Sequence, residues 1–159
     1  MTNEPVITVV DVPPVDVLGT ELTGTYALIP ELLVKVVNFM MERNIPITAP
    51  PLFLCHECSP EAVREANAQG TARVEIAWPV TGDANGSGEI RRYTLPGGKM
   101  VHVTHKGPYE TCEPTYLAAF GWIAKKGLTI NGPVREIYPN DPAEVPPEEI
   151  LTEIYIPVA

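Results

Sequence analysis

An α+β fold built on an antiparallel sheet is what this sequence predicts, and three observations predict it. Short segments rich in Val and Ile alternate in hydropathy between turn residues, with eighteen prolines cutting the chain into pieces. Two other stretches carry helical periodicity instead. The order of elements in the first half then recurs in the second. Duplicated β-α-β-β units follow from this, with two main helices on one face of the sheet and a cleft at the pseudo-twofold axis. The 159 residues suit a single domain, 1–159, with halves of about 1–81 and 88–159.

The first strands are expected within residues 6–20, broken at Pro13–Pro14. Pro30 opens a helix near 30–43. Leu32, Leu33, Val36, Val37 and Met40 form its apolar stripe, and Asn44 marks its stop. "PLFLCHE" (51–57) reads as a strand. "SPEAVREAN" (59–67) reads as one or two helical turns, with Ser59 as the cap and Pro60 behind it. "ARVEIAWPV" (72–80) alternates as a strand, and "TGDANGSG" (81–88) is a turn.

In the second half, "EIRRYTL" and "KMVHVTH" flank Pro96–Gly97–Gly98 and read as a hairpin. A helix is expected from 112 to 126, with Pro114 in its first turn. Tyr116, Leu117, Phe120, Ile123 and Ala124 form its stripe, and Lys125, Lys126 and Gly127 close it. "PVREIYP" and "LTEIYIPV" finish the chain as strands.

The halves can be overlaid. Tyr26 meets Tyr109, and the pairs Pro51/Pro133 and Pro60/Pro142 are each 82 positions apart. "VEIAWPV" meets "TEIYIPV", so Glu75 corresponds to Glu153, which points to a shared structural role. Glu136 falls on Leu54 in this overlay. By period two, Val134, Glu136 and Tyr138 share a strand face whose counterparts, Leu52, Leu54 and His56, are mostly apolar. That face is therefore expected to be covered. Glu136 is then either a functional carboxylate in a pocket or an acid that is solvated or structurally paired, because an unpartnered buried charge is costly.

Charge bounds the partners. A formal net charge of −9 with scattered basic residues disfavours nucleic acid, which needs concentrated Lys and Arg. It weakly favours cationic small molecules. No apolar run reaches the roughly 18 residues of a membrane span. "MTNEPVITVV" lacks a signal peptide's basic start, and three cysteines suit a reducing cytoplasm.

"HKGPYETCEPTYLAAFGWIAKKGL", "GPVREIYPNDP" and "LTEIYIPV", in that order and spacing, resemble the GyrI-like small-molecule-binding domain. This is the effector-binding half of certain AraC-type and MerR-type transcription regulators, which also occurs as a stand-alone protein. The clear match covers residues 101–158. The first half follows through the repeat.

The resemblance implies a multidrug-type cleft at the pseudo-twofold axis, lined by aromatics with one acid at its base. Glu136 matches that acid, Tyr109 the tyrosine of "GPYE", and Trp122 the aromatic of the second helix. Tyr138 and Tyr155 fall on strands that can line the cleft. Some stand-alone members look like hydrolases of cyclopropane-bearing electrophiles, which would make Glu136 a base assisted by Tyr109. A protein-binding inhibitor module is a third class. No helix-turn-helix region is evident, so the stand-alone form is expected.

The residues explain such a site. A desolvated carboxylate seeks a cation or a donor, aromatic faces attract cations, and a basic carboxylate can activate water.

Other motifs carry less. "CHEC" (55–58) has the spacing of a zinc or redox pair but only His56 and Glu57 nearby, and neither metal nor redox function is expected of it. His102 and His105 face opposite ways on a strand, and Cys112 has no base at a recognisable spacing. "GDANGSG" lacks the Lys–Ser/Thr of a phosphate loop, and no cofactor is expected.

Overall fold

β-branched alternation and helical stripes both find their places in a computed structural model of the protein, which describes residues 6–57 and 59–159. The strands are β1 (Thr8–Val12), β2 (Val15–Gly24), β3 (Leu52–Cys55), β4 (Ala72–Pro79), β5 (Arg91–Leu95), β6 (Gly98–Lys106), β7 (Val134–Ile137) and β8 (Leu151–Pro157). The helices are α1 (Leu28–Glu42), α2 (Pro60–Gln69) and α3 (Glu113–Lys125). Pro30 and Pro114 sit in first turns, where a missing N–H costs nothing. Ser59 caps α2 by accepting from the Ala62 amide at 3.1 Å. That helix runs ten residues, longer than the one or two turns expected. Among the described residues no helix is long and apolar enough to cross a membrane.

The strands form one antiparallel curled sheet in the order β1-β6-β8-β7-β3-β4-β2-β5. This order is unchanged when the halves are exchanged, so the pseudo-twofold axis passes between β7 and β3. Leu32, Val36 and Met40 of α1 and Ala119 and Ile123 of α3 join one core cluster with Phe53, Ile76, Val103 and Ile154. Register puts those strand residues on one face: Val103 lies opposite Ile154, and Phe53 opposite Ile76. Both main helices therefore cover the same face, as the repeat predicts.

The register corrects the overlay. With Glu75 matched to Glu153, Ile76 matches Ile154. Phe53 pairs with Ile76 and Glu136 with Ile154, so the counterpart of Glu136 is Phe53, not Leu54. The two are also direct partners across β3 and β7, so the axis passes between them. Leu54 points to the other face, opposite Arg135. The proline anchors lie outside the strands, Pro60 at the start of α2, where segments between strands differ in length between the halves, and a slip of one residue exchanges the faces of a strand. The inference of a covered, apolar counterpart survives with Phe53 in the role.

The hairpin expected around Pro96–Gly97–Gly98 is not formed. β5 pairs with β2, and β6 pairs with β1 and β8. Val12 lies opposite Gly98 and Val15 opposite Leu95, one register continuing through the corners at Pro13–Pro14 and Pro96–Gly97. Residues 8–19 and 91–102 thus make one bent ribbon whose ends join opposite edges of the sheet. The exchange pairs β1 with β6 and β5 with β2, so each half supplies the outer strand of the other and the sheet ends in the short strands β1 and β5.

The ribbon curls the sheet over its second face, burying Val17, Leu52, Leu54, Ala77 and Leu95. Arg135, only 5% exposed, donates from Nη2 to the Pro96 carbonyl at 2.6 Å in the same region.

The two corners touch. A Cβ at Gly97 would lie 2.4 Å from the Val12 carbonyl oxygen and 2.7 Å from the Pro14 nitrogen, both backbone atoms. Gly97→Ala is expected to destabilise the protein by about 1–3 kcal/mol, the cost of overpacking. Urea unfolding measures this, and an unmoved midpoint would mean that the corners separate freely.

Candidate functional site: a cleft floored by Glu136

Glu136 owes its place to parity. Val134 and Glu136 point to the helix-covered face, and β7 lies at the centre of the sheet. α1 and α3 leave a gap above the axis. A cavity of about 300 Å³ opens there, lined by Tyr26, Phe53, Tyr109, Tyr116, Phe120 and Glu136 among others. A second space of about 740 Å³ lies toward Trp78, Pro50, Pro51 and Tyr138. Tyr26, Ile29, Tyr109 and Glu136 line both, so these are two lobes of one cleft that meet at Glu136.

Tyr116 of α3 donates its hydroxyl to Glu136 Oε2, and Tyr138 donates to Oε1 at 2.9 Å. The side chain is half-buried because the cleft reaches it, but it sits deep beneath the helices. Depth sets the desolvation, and desolvation raises the Glu136 pKa. The two hydroxyl bonds and nearby His105 oppose the rise without cancelling it. The same surroundings push the Tyr116 and Tyr138 hydroxyls well above their ordinary value, burial first and the Glu136 charge second. They act as donors, not as phenolates.

Tyr109 is 40% exposed and lines both lobes. Its ring packs edge-on against Tyr138, with centroids 5.6 Å apart. Glu136, Tyr109 and Tyr138 are thus brought together.

Trp122 and Tyr155 line neither lobe. Trp122 follows Tyr116 by six residues, a turn of about 240° on a helix, which takes it to another side of α3. There it packs on the core beneath the Lys126 ammonium, 5.5 Å from the ring centre. Tyr155 lies opposite Arg135 and therefore on the second face, where its ring stacks on His102 at 4.7 Å.

Sequence reasoning missed Tyr116, which read as one more member of an apolar stripe. Its hydroxyl was the available signal, because a buried tyrosine needs a partner for that group. Tyr26, Phe53, Phe120 and Trp78 also line the cleft. Tyr26 occupies the place of Tyr109 in the other half, and its hydroxyl donates to Glu57 Oε1.

Cys55 and Cys112 are buried free thiols lining the smaller lobe. Burial, with the charge of Glu136 next, pushes each up to about 12, so both stay protonated at neutral pH and are poor nucleophiles. Cys58, the second cysteine of "CHEC", lies outside the described residues.

His56 turns to the second face, where Nε2 lies 2.6 Å from Glu75 Oε1. Glu21, His56 and Glu75 bring donor atoms within 4.8 Å of one another. These carboxylates are already engaged: Arg73 bonds Glu21 at 3.1 and 3.2 Å, and Tyr93 donates to Glu75 at 2.6 Å. Glu153 repeats the pattern with His102 and Thr104. The acid shared by the halves thus ties strands together on the face away from the cleft.

The sequence model of the GyrI-like small molecule binding domain matches residues 5–159. No curated protein matches in sequence. Among solved structures, the EcmrR C-terminal domain superimposes with a TM-score of 0.85 at 20% identity, over 98% of each chain. In the EcmrR–DNA complex the likeness spans 99% of this chain but 58% of the EcmrR chain, with a TM-score of 0.85 at 20% identity. A hydrolase encoded by lin2189 from Listeria innocua gives 0.67 at 16% identity, over 96% of this chain and 91% of that one. SAV2435 bound to tetraphenylphosphonium gives 0.60 at 18% identity, over 97% and 94%. At these identities the likeness is one of fold.

Proposed function

The chain belongs to the GyrI-like small-molecule-binding domain family, and on that premise we propose that its cleft binds amphipathic organic cations bearing aromatic rings, with Glu136 as the counter-charge. The observation that carries this reading is the setting of Glu136. It lies deep between aromatic faces, its hydrogen-bond partners are hydroxyls, and it forms no ion pair among the described residues. A desolvated carboxylate held by neutral donors retains its attraction for a cation, and the surrounding rings add to it. The ligand-bound SAV2435 structure, in which the ligand is a hydrophobic phosphonium, accords with this chemistry. The EcmrR likeness supports an effector role, in which occupancy of the cleft is sensed by a regulator. Free Cys55 and Cys112 fit a reducing, cytoplasmic setting.

Hydrolysis in the same cleft is the second reading. It rests on the raised Glu136 pKa, which suits a general base, and on the Tyr116 and Tyr138 donors beside it. Each carboxylate oxygen keeps a lone pair that a water could use. The protein-binding reading has less support, because the cleft is walled mainly by apolar and aromatic side chains, not polar ones.

Titration calorimetry with tetraphenylphosphonium and with neutral triphenylphosphine oxide tests the proposal. The cation is expected to bind at least about tenfold tighter, a difference of about 1.4 kcal/mol. Equal affinity for the two would overturn it, and consumption of a cyclopropane-bearing electrophile would favour hydrolysis.

A further inference from the structure

The smaller lobe holds more negative charge than one monocation uses. Glu57, Glu110, Glu113 and Glu136 line it, with Arg64 as the one basic residue among the described lining, and Arg64 is bonded to Glu113. Glu110 lies at the exposed rim, while Glu57 and Glu136 are half-buried.

These two inner carboxylates lie at either end of a strip of β3. Phe53 is the direct strand partner of Glu136, and Cys55, two residues on, points to the same lobe. Glu57 follows two residues later, at most about 14 Å along the chain from Phe53. An aromatic ring and a protonated thiol thus separate the two acids. Both negative charges act on the Cys55 thiol between them.

Each acid is also held by a tyrosine, Glu57 by Tyr26 and Glu136 by Tyr116 and Tyr138. Glu57 Oε2 accepts in addition from the Arg73 amide at 3.3 Å, which still leaves lone pairs on both oxygens.

We propose that Glu57 forms a second cation subsite, and that this lobe therefore selects elongated organic dications whose apolar spacer lies over Phe53 and Cys55. The inference rests on the proposed function, because it gives Glu136 the first cation. Glu57 takes the second charge at the other end of the strip. A spacer too short to reach from one acid to the other gains nothing from the second charge.

The test compares decyltrimethylammonium with decamethonium and hexamethonium, titrated calorimetrically into the purified chain at low salt. At least one bis-quaternary ion is expected to bind about fivefold tighter than the monocation, the scale of one partly screened ion pair, and added salt should shrink the gain. Glu57→Gln should erase the gain and leave monocation affinity within about twofold. If the bis-quaternary ions bind no tighter than the monocation, this inference fails and the proposed function stands. If the gain persists in Glu57→Gln, the second subsite is not Glu57, and the inference is overturned. If none of the three ions binds, this inference fails, and the tetraphenylphosphonium titration decides the proposed function separately. Where Glu57→Gln does not fold, Glu57→Ser is titrated in its place, and the comparison on the unsubstituted protein still decides whether the lobe reads a second charge.

Discussion

Replacing Glu136 by Gln is expected to weaken a hydrophobic monocation such as tetraphenylphosphonium by about 1.5–3 kcal/mol, the scale of a hydrogen bond to a charged group. Neutral ligands of similar shape should be spared, because the substitution keeps the volume and one acceptor oxygen. Calorimetry on both ligand types measures the contrast, and equal losses for the two would show that the site reads shape alone. If the cleft hydrolyses its ligand, the same variant should lose turnover and keep most of its affinity.

The pH dependence has two opposite signs. Burial holds the Glu136 pKa above the ordinary carboxylate range. Only the ionised form attracts a cation, so affinity should fall as pH drops through that raised value. Stability of the ligand-free protein should run the other way. A carboxyl whose folded pKa exceeds its unfolded one stabilises the fold fully below the unfolded value, and that contribution is lost as pH rises through the folded value. Glu136→Gln should flatten both profiles, and urea unfolding with calorimetry across the mildly acidic range would read them. A wild-type stability that rises with pH there relative to the variant would contradict the burial of the charge.

Phe53→Ala is expected to cost about 3–5 kcal/mol, with a fall in Tm of roughly 6–20 °C. Phe53 is 3% exposed, lies between Ile76 and Glu136 in the sheet, and meets Tyr26 edge-on with centroids 5.8 Å apart. Removing the ring deletes core contacts at the axis where the two halves join. It also enlarges the lobe beneath any bound ligand. Thermal unfolding reports the loss, and a cost below about 1 kcal/mol would show that the halves do not depend on this ring.

How far the sequence reached depends on the range of the interaction. Alternation, helical stripes and proline placement act over a few residues, and they located both main helices, the strands of the repeat and the shared face of Val134 and Glu136. Duplication then placed the helices on one side of the sheet. The resemblance singled out Glu136, and the structure puts it at the floor of a cleft lined by Tyr109 and Tyr138.

Contacts between distant segments were not legible in the same way. Whether residues 91–106 close on themselves or exchange with residues 8–19 is a choice between two pairings of the same strands, and it turns on how the corners at Pro13–Pro14 and Pro96–Gly97 pack, far apart in sequence. The match of Glu136 to Phe53 and not Leu54 depends on loop lengths, and one residue decides the face. Tyr155 was lost to that same parity and Trp122 to the turn of a helix, while Tyr116 gained its role only when α3 was laid over β7. Local pattern and duplication determined the elements and their layers. Strand register and helix rotation, fixed only when the whole sheet closes, decided which side chains meet at Glu136.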